Sequence, residues 1–347
     1  MNYKEEQVAN LIISLKRLKG VGAKTIQNFL LENYDELMSM NKYDENWLRN
    51  RQIKVISKGL EASSVSWSTI QKQSSEILEK AYNDNIKVIH PYMNEYPKRL
   101  LTLNNFPPIL YCIGNVELLN RSKIVAIIGT RNPTKMGEKI GLRLSEVLSK
   151  DGYTIVSGLA VGSDTIGHLG ALNTQGYTIG ILPTPIGSPV YPKENQKLAD
   201  DIILNKGLLI SEYAPGAKLQ GRELVSNLIA RDEWQSGISD GVIAIETGIK
   251  GGTNHAIKHA IKSHTPVGVF DYSSQIGEEF FINERFGGNV KYIRNKDAFP
   301  IYTTESIENF KLKMKEYYEK NRLKFIDFEK RSEVDDVSKM ADQTKLF

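Results

Sequence analysis

A chain of 347 residues has room for two or three domains, and 40% hydrophobic with 25% charged residues excludes a disordered protein. The formal charge of +4 permits a polyanionic partner without requiring one. The single cysteine, Cys112, excludes an intrachain disulfide and a thiolate metal cage. No apolar run approaches the ~20 residues of a membrane span, and the start MNYKEEQVAN lacks a signal-peptide core, so a cytoplasmic protein without a membrane partner is expected.

Residues 5–40 read as helical, with a break at LKGVGAKT. Leu15, Leu18, Val21, Ile26 and Leu30 bracket Gly20 and Gly22, the pattern of two short helices joined by a glycine-hydrophobic-glycine hairpin. In a helix-hairpin-helix, N–H groups at the second helix's start meet a DNA phosphate, and Lys19 and Lys24 stand nearby. A helical pair that only packs, or that binds protein, is the alternative. Residues 41–85 are polar and helical, with Trp47 and Trp67 as packing anchors, so 1–85 is expected to be a small all-α domain. Residues 86–122 are rich in proline, tyrosine and asparagine and read as an ordered connector with short extended pieces.

From 123 to 300, short apolar strands alternate with amphipathic helices. The strands are expected at 124–129, 153–157, 177–182, 208–212, 241–246 and 266–270. This predicts an α/β domain with a doubly wound, mainly parallel Rossmann-like sheet, whose ligands sit beyond the strands' carboxyl ends. Residues 301–347 form a basic helical tail followed by polar residues.

Those strand ends carry the chemistry. The first delivers Gly129, Thr130 and Arg131 to the start of a helix. The second gives Ser157, Gly158 and Gly162 before a helix with Asp164 and His168. The third leads to a proline-rich loop with Tyr191, Lys193 and Asn195, and the fifth to Gly251, Gly252 and Thr253. Three glycine-bearing helix starts on one edge make a broad phosphate-binding surface, and an arginine fork suits phosphate oxygens. Asp164 is either a cap for its own loop or a ligand, and His168 reads as a buried structural histidine. Glu246 ends a strand where an acid or base could act, without an evident nucleophile. His255 and His259 lack a third ligand, so no metal is expected. GTRNPTKMG lacks the second glycine of a dinucleotide fingerprint, which disfavours NAD or FAD, and no cofactor is expected.

In these motifs and their order the chain resembles the DNA-processing protein A (DprA/Smf) family from about residue 86 to residue 270. The resemblance rests on HPYMNEYPKRLLTLNNFPPILYCIGN, IIGTR, SGLAVGSDTIGHLGAL, VYPKEN and LISEYAPG. It implies single-stranded DNA binding without a catalytic step, protection of incoming strands, loading of a RecA-type recombinase during transformation, and a homodimer. Arg131 would then grip backbone phosphate, helped by neighbouring N–H groups and Lys193. The family's Arg-Asn-Arg stretch reads Arg231-Asp232-Glu233 here, so one basic side chain is replaced by an acid, which would weaken a polyanion groove there. Its Ser-Gly stretch is replaced by Gly251-Gly252-Thr253, and the tail is short for the winged helix of many members. These departures leave a second expectation open: a nucleotide-sensing or nucleotide-hydrolysing protein in a phage-defence or toxin–antitoxin setting.

Overall fold

A computed structural model describes residues 1–218 and 221–322, so most of the predicted basic tail lies outside the described residues. The chain divides into two compact units, one formed by Met1–Tyr111 and the other beginning at Cys112.

The first unit is helical: α1 (Tyr3–Lys16), α2 (Ala23–Glu32), α3 (Tyr34–Ser39), α4 (Glu45–Asn50), α5 (Lys54–Glu61) and α6 (Trp67–Asn83) precede β1 (Lys87–Ile89). Asn2 and Glu5 form a capping box at α1, and Ser66 caps α6 through the Thr69 N–H. Between α1 and α2, Gly20 takes a φ of +82°, which a side chain would strain. Leu15, Leu18, Val21, Ile26 and Leu30 are all buried. Trp47 and Trp67 are buried too, and their indole N–H groups donate to Glu36 Oε1 (2.7 Å) and the Tyr43 carbonyl (2.8 Å). His90 also belongs to this core; burial pushes its imidazole down to about 4.

β2 (Leu110–Gly114) crosses the sequence boundary between the units. The second unit then alternates β3 (Ile124–Ile128), α7 (Lys135–Lys150), β4 (Thr154–Ser157), α8 (Ser163–Asn173), β5 (Thr178–Ile181), α9 (Gln196–Leu204), β6 (Leu208–Ser211), α10 (Gly221–Ile238), β7 (Gly241–Ala244), α11 (Asn254–Lys262) and β8 (Val267–Phe270). Three short helices, α12 (Ser273–Ile276), α13 (Glu279–Ile282) and α14 (Gly287–Arg294), lead to β9 (Phe299–Ile301) and α15 (Thr304–Asn321).

Strands of this unit lie in the order β6-β5-β4-β3-β7-β8-β9, and every pairing is parallel. Strands β3 to β8 are fully buried, as expected of a sheet covered on both faces. One core joins Val125, Ile127, Ile155 and Ile243 of the sheet to Leu144 and Leu148 of α7, Ile166 of α8, and Phe310 and Met314 of α15. Gly241 lets α15 approach: a Cβ there would stand 2.6 Å from Met314 Cγ. The chain builds outward from β3 to β6, then returns to place β7 on the other side of β3. That reversal puts a switch point between the carboxyl ends of β3 and β7. No helix among the described residues is long and apolar enough to cross a membrane.

Candidate functional site

At the switch point lies a cleft of about 480 Å3. Its walls are Gly129, Thr130 and Arg131 after β3, Ala160 and Asp164 after β4, Arg231, Asp232 and Gln235 on α10, and Thr247, Gly248, Gly251, Gly252 and Thr253 after β7.

The turn after β3 is tied down on both sides. Thr130 N–H donates to the Glu246 carbonyl (2.8 Å), and the Thr130 carbonyl accepts from Ser163 N–H (3.1 Å) and Ser163 Oγ (3.0 Å). Arg131 is left exposed at the lip, and among the described residues its guanidinium has no ion pair or hydrogen bond. The start of α7 is closed. Thr134 Oγ1 accepts from Gly137 N–H (3.0 Å), while Thr134 donates its N–H (2.9 Å) and hydroxyl (2.5 Å) to the Glu246 carboxylate. Glu246 is fully buried, with Gly137 making room for it. The strand-end acid thus anchors the β3–α7 turn, with both carboxylate oxygens engaged.

The turn after β4 is closed as well. Asp164 Oδ2 accepts from Gly158 N–H (3.2 Å) and Ala160 N–H (3.3 Å), and Arg231 Nη1 stands 3.4 Å from the same oxygen. That guanidinium also donates to the Gly158 carbonyl. Both side chains are buried, and burial raises the Asp164 carboxyl against the pull of Arg231 and the two amides. Gly162, with φ +81°, carries the chain past the carbonyls of Thr130 and Arg131, where a Cβ would come within 2.6 Å. The Gly158 and Ala160 amides are therefore answered by the protein's own carboxylate, and the Ser157 hydroxyl donates to the Ile127 carbonyl (2.6 Å). Arg231, expected as a phosphate ligand, is buried with its guanidinium directed to internal groups.

The third start differs. Thr253 precedes α11 without a side-chain cap, and Gly251 and Gly252 are exposed. Among the described residues the N–H groups of Gly252 and Thr253 have no acceptor, and the space around Gly252 is open. The turn keeps its shape through its carbonyls: Asn254 Nδ2 reaches those of Gly248 (3.0 Å), Ile249 (3.2 Å) and Gly251 (2.7 Å), and Asn254 Oδ1 accepts from Tyr292 Oη (2.8 Å). Asn289 pins the base of the turn by accepting from Thr247 N–H (2.8 Å).

The structure thus brings Gly129, Thr130, Arg131, Asp164, Arg231, Gly251, Gly252 and Thr253 to one cleft. Ser157, Gly158, Gly162, Lys193 and Asn195 are not among its walls. Lys193 is exposed in a short turn, while Asn195 is a buried brace donating to the Leu159 carbonyl (2.8 Å) and Thr165 Oγ1 (2.9 Å). Lys19, Gly20, Gly22 and Lys24 belong to the helical unit; all four are exposed, and Lys24 Nζ donates to the Asn104 carbonyl (2.9 Å). His168 is buried, contacts Thr178 Oγ1 through Nδ1 (2.6 Å), and is pushed down to about 3 by burial, so it is neutral. Among the described residues no group of three or more His, Cys, Asp or Glu stands ready to hold a metal. Asp232, Gln235, Thr247 and Gly248 line the cleft beyond the expected set. The spacing of Arg231 and Gln235, one helical turn apart, was the available signal for Gln235.

A parallel sheet with a cleft of small-ligand size at its switch point defines the class, a Rossmann-like α/β protein. The chain belongs to the DNA recombination-mediator protein A family, whose model matches residues 87–311. It is 34% identical over 188 residues to the protein Smf of Synechocystis, covering 53% of this chain and 46% of that one. It is 33% identical over 174 residues to the DNA processing protein DprA of Bacillus subtilis, covering 50% and 57%. These matches therefore span about half the length of the curated relatives. Among solved structures it is similar to the DNA processing protein A of Helicobacter pylori, described for its single-stranded DNA binding mode. That match has 30% identity and a TM-score of 0.55, over 65% of this chain and 93% of that one. The DprA structure from Streptococcus pneumoniae shares the fold, with a TM-score of 0.64 at 21% identity over 89% and 98% of the two chains.

Proposed function

We propose that the protein binds single-stranded DNA along the carboxyl edge of its parallel sheet and supports DNA uptake and recombination. In this reading it protects the strand and loads a RecA-type recombinase, as a cytoplasmic homodimer acting by binding. The observation that carries the reading is the juxtaposition, in one cleft, of the exposed Arg131 guanidinium and the unanswered amides of Gly252 and Thr253. Membership of a recombination-mediator family and the single-stranded DNA binding of the H. pylori relative support the choice of ligand. The engaged Glu246 carboxylate supports binding without catalysis. Lys193, and Lys19, Gly20, Gly22 and Lys24 of the helical unit, are proposed as outlying contacts.

The test is a salt-titrated anisotropy measurement with an oligothymidylate. Arg131→Ala should weaken binding by roughly ten- to a hundredfold, as removal of a charge-assisted hydrogen bond of about 1.5–3 kcal/mol requires. Taking away one phosphate-neutralising charge should also flatten the salt slope by about 0.7. Equal binding by wild type and variant at low salt would reject the assignment.

A second reading, a free nucleotide in the same cleft that is sensed or hydrolysed in a defence setting, is favoured by the uncapped Gly251-Gly252-Thr253 start and by a volume suited to one small ligand. It predicts a thermal shift with a mono-, di- or cyclic nucleotide, about 2.7 kcal/mol at a hundred times Kd.

A further inference from the structure

Asp232 is a carboxylate lining a cleft otherwise suited to an anion. The floor holds two carboxylates and one guanidinium. Arg231 turns Nη1 toward Asp164 and the Gly158 carbonyl. Its Nε lies 3.2 Å from Asp232 Oδ1, yet off the hydrogen-bonding direction, so among the described residues this buried N–H has no hydrogen-bond acceptor. Among the described residues Asp232 receives one hydrogen bond, from Gln235 Nε2 (3.1 Å). These two carboxylates and the Arg231 guanidinium sum to a net negative charge, which the exposed Arg131 at the lip balances. The other charged groups acting on Asp232 are Asp164 and Glu233, which repel its charge, and Arg131, which favours it. Burial foremost, followed by those neighbouring acids, raises Asp232 to about 6 against the two arginines.

We infer that Asp232 sets the affinity of the cleft for a strand phosphate, which binds together with a proton taken up by this carboxylate. The inference rests on the strand-binding reading above. The proton comes from solvent and adds to a carboxylate oxygen; the phosphodiester keeps its single negative charge and no covalent bond to it changes. The floor becomes neutral, Arg231 is left to Asp164, and the new O–H can donate to a phosphate oxygen. At neutral pH the protein is a restrained binder, and acidification releases it.

The experiment compares wild type with Asp232→Asn, which keeps the size of the side chain and cannot carry its charge. Affinity for an oligothymidylate bearing a dye that does not titrate is followed from about pH 8 to about pH 5.5 at fixed ionic strength. Wild-type affinity should rise on acidification by up to about tenfold per pH unit. The variant should bind more tightly at neutral pH and depend on pH less steeply than wild type, a difference in which the histidines common to both proteins cancel. Calorimetry on wild type alone, in two buffers of unlike ionisation enthalpy, should show proton uptake on binding and needs no variant. Parallel pH curves, or binding without proton uptake near neutrality, overturn the inference. Failure of both proteins to bind at any pH in low salt overturns the strand-binding reading itself, a result distinct from parallel curves.

Discussion

In the turn that follows β4, the amides of Gly158 and Ala160 point at the Asp164 carboxylate, an anion supplied from within. In the turn that follows β7, the internal partner is the amide of Asn254, and it takes the carbonyls of Gly248, Ile249 and Gly251. Both turns are rich in glycine and both lead into helices on the same sheet edge. They differ in which half of the peptide group the protein has satisfied. Where a carboxylate takes an N–H group, that group is no longer offered to an external phosphate. Where a side-chain amide takes the C=O groups, the N–H groups face outward. A glycine-rich helix start offers its N–H groups to an external anion only where no internal acceptor has taken them.

The contrast can be broken most strongly at Asp164. Asp164→Ala strands the buried Arg231 and leaves two amides unanswered, so unfolding by urea should show a loss of about 3–5 kcal/mol. A loss below about 1 kcal/mol would mean that the carboxylate does not close this turn. Next in size, Gly162→Ala places a Cβ among the carbonyls of Thr130 and Arg131 at positive φ and should cost about 1–3 kcal/mol.

A pH profile sharpens the same comparison. His168 and His90 titrate at about 3 and about 4 in the folded state, below the 6.5 of the unfolded chain. The unfolded chain therefore binds more protons, and stability falls as pH drops below 6.5. Asp232, raised from 3.8 to about 6, works the other way: the folded state takes its proton first, which adds stability between 6 and 3.8. Asp232→Asn should consequently steepen the acid-side loss in the urea midpoint, by at most about 1.4 kcal/mol per pH unit. The smallest effect is expected at Gly252, where the surrounding space is open. Gly252→Ala should leave stability within about 0.5 kcal/mol while weakening the oligonucleotide complex. A large destabilisation there would show that this turn, too, is internally committed.

The six strands β3 to β8 were legible because each is a short apolar run between helical patterns, and their ends fell within two residues of the expected ones. β9 was not. It has three residues, includes Pro300 and is only partly buried, so neither run length nor alternation marks it. In the site, Gly129 to Arg131 and Gly251 to Thr253 could be placed on one edge because parallel strands share a carboxyl edge, whereas the adjacency of β3 and β7 that joins them in one cleft emerges only from the fold. The closure of the β4 turn was invisible, since Asp164 and Arg231 lie 67 positions apart and only packing joins them. The path of the loop carrying Lys193 and Asn195 has no local signature either. An exposed lysine and a buried asparagine two residues apart look equally polar in sequence.

Asn254 has a thermodynamic consequence of its own. Tyr292 fixes the orientation of its amide, and that amide fixes three carbonyls of the turn. The loop is therefore already in one shape when a ligand arrives, and its loss of conformational entropy belongs to folding rather than to association. Such preorganisation lets the complex form without a loop-ordering step, so its association rate should follow diffusion and charge, and Tyr292→Phe should slow it by freeing the amide to turn.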